Sequence, residues 1–228
     1  MLSLPELPSA SEAAWRAFLE TERSAARPQM LTALRSFIST TADVEPRVLD
    51  VWALALVEAV LDGGEDLILR QPLLDAIILP ALVRGYRAGA PRPTTWLSRL
   101  SRELVRNRSL HEEAGGPDSF ELLRRAFERN PTDERCRVLL RERLARRIEH
   151  SLHELPVGVL FGGNGATAEE IELLSSDLRL LEAIIQPGSE LVVRARIHFA
   201  VYAEWLRTRT GSYAEYFNAH SGSPELLE

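Results

Sequence analysis

Lysine is absent from this chain of 228 residues, and all 27 of its basic side chains are arginine. The absence excludes chemistries that need an ammonium group at a fixed place: phosphate-binding loops, protein kinases, and pyridoxal enzymes that hold their cofactor as a Schiff base. A GC-rich genome of bacterial type accounts for the bias through its codons. The functional counterpart is a preference for bidentate guanidinium recognition. Cysteine is nearly missing too: the single Cys136 can neither close an internal disulfide nor start a zinc ribbon. No Gly-x-Ser-x-Gly elbow occurs, so the α/β-hydrolase nucleophile is excluded. Apolar runs stay short of the ~18 residues that cross a bilayer. The first twenty residues carry Glu6, Glu12 and Glu20 where a secretory signal would be basic and then apolar. A cytoplasmic protein without a membrane segment is expected. Strand signals are scarce as well: only Val157 to Phe161 qualifies, and a lone strand has no partner.

What remains is helical. The 45% hydrophobic and 26% charged content is that of an ordinary globular chain. Ser9 with Glu12 reads as a capping box ahead of Trp15, Phe18 and Leu19. Pro28 and Pro46 suit first helical turns. The segment after Pro46, VLDVWALALVEAVL, is apolar on nearly every side and should be central, ending at Gly63 and Gly64. Pro80 should kink or break the next helix. Thr94 or Thr95 is expected to cap WLSRLSRELVRNR, HEEAGGPD reads as a loop, and Asp118 and Thr132 start the next two helices. Thr167 and Glu170 form a further capping box, and Ser189 caps the helix after Pro187 and Gly188. SYAEYFNAH makes a last short turn. The pattern predicts an all-α protein of antiparallel helical hairpins, with residues 1–110 as an N-terminal part and 118–228 as a C-terminal part.

Leu122, Leu123, Ala126 and Phe127, followed by Asn130 and Pro131, resemble the junction between tetratricopeptide repeats over residues 119–140. The resemblance implies a degenerate right-handed solenoid with a binding groove. An irregular helical bundle is the alternative. No second copy lies 34 residues away, the repeat length of that family.

Two segments suggest chemistry. His150 and His153 lie three residues apart beside Glu149 and Glu154, so both rings could reach one metal ion, completed by His198 or Glu204 from another helix. HELPV departs from the His-Glu-x-x-His protease motif, because Val157 stands at the second histidine position and Pro156 ends the helix. At about 100° per residue, Cys136, Leu140, Leu144, Ile148 and Leu152 define the buried side of this helix, and both histidines fall away from it. FGGNG precedes a helix start, where amides favour anions, but Glu169 and Glu170 already occupy that first turn. A connector whose glycines permit positive φ is the better reading.

The charges are unevenly spread. Arg84 to Arg147 carries 16 arginines against 9 carboxylates, whereas Glu154 to Glu190 carries 7 carboxylates and only Arg179. The basic block can dock on the chain's own acidic stretch or on a partner. Nucleic-acid binding calls for aromatic residues interleaved with the cations, yet helical spacing puts Trp96 and Phe127 in the core. The reading is a non-enzymatic helical interaction module, an adaptor, regulator or immunity-type protein, that needs no cofactor. It binds an acidic or phosphorylated protein surface through Arg124, Arg125, Arg135, Arg143, Arg146, Arg147 and His150. Nothing in the composition excludes self-association. The competing reading is a metal-dependent hydrolase or lyase built on His150 and His153.

Overall fold

The computed structural model describes residues 4–24, 27–155, 165–185, 188–208 and 211–221, and every regular element among them is helical. The strand candidate at Val157–Phe161 and most of the FGGNG segment lie outside the described residues. No helix of the described residues is long and apolar enough to cross a membrane. The chain divides into two compact units, 1–136 and 137–228.

The first unit holds α1 (Ser9–Ser24), α2 (Arg27–Thr40), α3 (Pro46–Leu61), α4 (Gln71–Leu73), a π-helical segment (Leu74–Ile78), α5 (Leu79–Arg87), α6 (Pro91–Arg99), α7 (Ser101–Arg106), α8 (Arg108–Glu113), α9 (Ser119–Arg129) and the first turn of α10 (Glu134–Glu154). Ser11 Oγ donates to the Thr40 carbonyl at 2.9 Å, which sets the start of α1 beside the end of α2 and makes the pair antiparallel. The expectation that α3 is central holds for one side only: Trp52, Ala53, Leu56 and Val57 are fully buried, while Val48 and Val51 are exposed. The Trp15 ring centroid stands 5.0 Å from those of Phe37 and Trp52, and Phe18 joins them at 5.2 Å. Burying each large side chain of this cluster contributes about 1.5–3 kcal/mol. α9 lies on α6, within the same unit.

Pro80 neither breaks nor ends its helix. The turn before it widens, so that the Leu79 amide donates to the Leu74 carbonyl five residues back. A π turn moves the carbonyl away from the proline ring and dispenses with the missing donor. Other starts also differ from the sequence expectation. Ser9 already lies within α1, with the Glu12 amide donating to the Pro8 carbonyl at 3.0 Å, and the Glu12 carboxylate pairs with Arg16 at 3.2 Å. α6 opens at Pro91, so Thr94 and Thr95 lie inside the helix, buried, with their hydroxyls donating to the Ala90 and Pro91 carbonyls. His111 to Glu113 belong to α8, whose N-cap is Asn107. Asp133 rather than Thr132 caps α10, accepting from the amides of Arg135 and Cys136. Asp118 caps α9 as expected, accepting from Phe120 and Glu121.

α5 and α6 come so close that a Cβ on Gly85 would sit 2.7 Å from the Pro93 Cβ. A Gly85→Ala chain therefore loses about 1–2 kcal/mol in urea unfolding, because overpacking outweighs the gain of up to ~1 kcal/mol in helix propensity. Adding Pro93→Ala, which keeps the Cβ but removes the ring Cγ that the new methyl would meet at 2.8 Å, recovers part of the loss.

The second unit holds the rest of α10, α11 (Ala168–Ile184), α12 (Glu190–Thr208) and α13 (Tyr213–His220). The capping box of Thr167 and Glu170 opens α11 as expected. A second box, Ser212 with Glu215, turns the expected short turn into α13. Tyr202, Trp205, Tyr213 and Phe217 form its aromatic cluster. Gly165, at φ 73°, passes so close to the Tyr202 hydroxyl that a Cβ there would meet it at 2.2 Å. At this position glycine serves the fold.

Candidate functional site

The basic block is largely neutralised by the chain itself. α3 is apolar nearly all round, but Asp50, Glu58 and Asp62 give it one acidic edge. Arg84 pairs with Asp50, Arg92 with Glu58, and Arg99 with Asp62. The Asp50 hydrogen bond holds the Arg84 guanidinium above its ordinary pKa. Arg87 pairs with Glu113. Arg124 lies over the Phe120 ring at 6.0 Å. Arg125 reaches Glu121 and the Tyr86 hydroxyl. These two sequence-selected arginines therefore make contacts within their own unit and are only half-exposed.

Arg135 marks the most built polar site. Asp62, the C-cap of α3, accepts two hydrogen bonds from α6 and forms an ion pair with α10. Trp96 Nε1 on α6 donates to Oδ2 at 2.9 Å, and Arg99 on the same helix reaches Oδ1 at 2.7 Å. Arg135, from the first turn of α10, stands 2.8 Å from the same Oδ1. Arg99 also donates to the Leu61 carbonyl at 2.9 Å, engaging an open end of α3. Asp62 is 16% exposed, Arg99 27% and Arg135 49%, so the cluster runs from half-buried to open. Over it lies a cavity of about 380 Å³ lined by Arg92, Thr95, Trp96, Asn130, Asp133 and Glu134 with the Asp62 pair. Spacing pointed to Arg135 alone. Its partners lie at distances along the chain that no helical period connects. The available signal was the acidic edge of α3 facing a block of arginines. Cys136, beside this cluster, is buried with its Sγ 3.6 Å from the Leu123 carbonyl. Burial pushes its thiol up to about 11, which keeps it protonated and unreactive at neutral pH.

In the second unit, α10 has the expected two sides. Leu140, Leu144, Ile148 and Leu152 are buried, while Arg143, Arg146, His150 and His153 are exposed. These four recur at helical spacing and form one row. Arg146, 75% exposed, has Glu142 at 3.7 Å. Arg147 departs from the row: its Nε lies 3.1 Å from the buried Asp177 of α11. That carboxylate belongs to the acidic stretch read from the sequence.

His150 and His153 gain no third ligand among the described residues, where no group of three or more His, Cys, Asp and Glu side chains could hold a metal ion. Of the two residues expected to complete the site, Glu204 pairs with Arg207. The His198 ring stacks on Phe217 at 4.1 Å, with Nδ1 3.2 Å from the Tyr213 hydroxyl. Burial, and then the charge of Arg194, lowers the His198 pKa. A histidine lowered in the fold binds its proton less readily than in the unfolded chain. Its contribution is therefore complete above pH ~6.5 and shrinks as pH falls below that value. Thermal unfolding between pH 7.5 and 5 should show a decline that is smaller in a His198→Gln chain.

Comparison with protein-family models, with curated proteins and with solved structures returned no match.

Proposed function

We propose that this protein is a non-enzymatic helical interaction module that docks an acidic or phosphorylated protein surface through guanidiniums. The observation that carries the reading is the exposed row of Arg143, Arg146, His150 and His153 on α10, backed by buried leucines that fix the helix. Guanidiniums on a rigid helix present planar forks that match carboxylate or phosphate oxygens. Arg124, Arg125 and Arg135 belong to the same basic set, each also engaged within its own unit, as Arg146 is with Glu142. The tetratricopeptide-like reading of residues 119–140 belongs to the same proposal: α9, a turn at Asn130 and Pro131, and then α10 follow the order of that junction. A solenoid groove is the corresponding architecture.

Charge reversal at Arg143 and Arg146 together tests it. Capture of the partner retained by the unmodified chain should be lost, and retention should weaken as salt screens the contacts. Stability should change by no more than about 0.5 kcal/mol, since both positions are exposed. Undiminished capture by the reversed chain rejects this face.

A further inference from the structure

The cavity over Asp62 is a second site of different character, independent of the exposed row on α10. Its floor is fixed. Trp96 is 3% exposed and Thr95 4%, and two hydrogen bonds with an ion pair leave the Asp62 carboxylate compensated. Its lining carries both signs of charge: guanidiniums from Arg92 and Arg135, carboxylates from Asp133 and Glu134. Arg92 gives one N–H to Glu58 and Arg135 is ion-paired with Asp62, while a guanidinium has five N–H donors. Asp133 caps α10 through Oδ1, which leaves Oδ2 as a further acceptor.

A simple anion entering here meets Asp133 and Glu134, and a simple cation meets Arg92 and Arg135. A small molecule carrying both charges finds a partner for each in the lining. The volume, about 380 Å³, lies near the lower end of the range of about 300–1,000 Å³ for small-molecule pockets. That suits an amino acid and is tight for a dinucleotide. From this juxtaposition we infer that the cavity binds a free α-amino acid, its carboxylate on the Arg92 and Arg135 guanidiniums and its ammonium on Asp133. Asn130 and Thr95, also in the lining, supply polar contacts for the side chain.

Titration calorimetry of the full chain against each common L-amino acid tests this. At least one should bind saturably with one site per chain. Its N-acetyl and carboxamide derivatives should each bind at least about tenfold more weakly, the loss of one charge-assisted hydrogen bond. Arg92→Gln and Asp133→Asn should each have the same effect. Both variants keep the fold, because Arg92 is 61% exposed and asparagine caps helices as well as aspartate does. Absence of saturable binding by every amino acid at millimolar concentration overturns the inference, as does binding that survives both substitutions or is matched by inorganic phosphate.

Discussion

An Asp62→Ala chain is expected to lose about 3 kcal/mol of stability, read as a fall of roughly 6–12 °C in the thermal midpoint of the first unit. Two hydrogen bonds, from Trp96 and Arg99, and an ion pair with Arg135 converge on this carboxylate. Hydrogen bonds to charged groups contribute about 1.5–3 kcal/mol each when well enclosed. Solvent reaches part of this cluster, so the three do not add in full. The cost of the substitution lies mainly in what stays behind: the indole N–H of Trp96, on a ring that is 3% exposed, and the Arg99 guanidinium, at 27% exposure. Arg135, half in solvent, rehydrates at small cost. The order of coupling energies follows. In double-mutant cycles the Asp62 and Arg99 pair should exceed the Asp62 and Arg135 pair by about 1 kcal/mol. Asp62→Asn should fall between wild type and alanine, since an amide oxygen still accepts from Trp96. If Asp62→Ala stays within about 0.5 kcal/mol of wild type, as surface substitutions do, the carboxylate has no part in joining α3, α6 and the start of α10.

What the sequence disclosed of this architecture was whatever depends on near neighbours. Buried positions on α10, from Cys136 to Leu152, follow from the helical period alone, and the burial of Trp52, Leu56 and Val57 on α3 follows from its high apolar content. Capping at Asp118 and Thr167 was legible because a cap and its amides lie within three residues. Thr94 and Thr95 misled for a related reason. Threonine caps when nothing upstream starts the helix, and here Pro91 had already done so. Pro80 shows a different limit: whether a proline breaks a helix depends on whether the surrounding core accepts a widened turn, and around Ile77 and Ile78, both buried, it does. Asp62 could not be found locally, since Trp96 and Arg99 lie 34 and 37 residues away. The row of Arg143, Arg146 and His150 was legible, yet Arg147, its neighbour in sequence, is drawn to Asp177 by a fold contact that no spacing reveals.

That contact sets the second large effect. Asp177 is 3% exposed and Arg147 is 47% exposed, so the carboxylate bears the cost of burial while the guanidinium keeps part of its hydration. Replacing Arg147 by methionine preserves the apolar stem and removes one charge that compensates the carboxylate. The expected loss is about 3 kcal/mol, in the range seen when one partner of a buried pair is deleted. Replacing both residues, Arg147→Met with Asp177→Leu, should restore most of it, because two apolar side chains of similar volume avoid the desolvation that the pair must offset. The two chains together distinguish a folding role from a docking role. If Arg147 serves the fold, partner capture by the restored double variant equals wild type, and the row of Arg143, Arg146 and His150 acts without it. If Arg147 also grips the partner, the double variant is stable but binds weakly. Should Arg147→Met alone unfold like wild type, the 3.1 Å approach to Asp177 contributes nothing in solution, and the acidic stretch from Glu154 to Glu190 does not neutralise the guanidinium of Arg147.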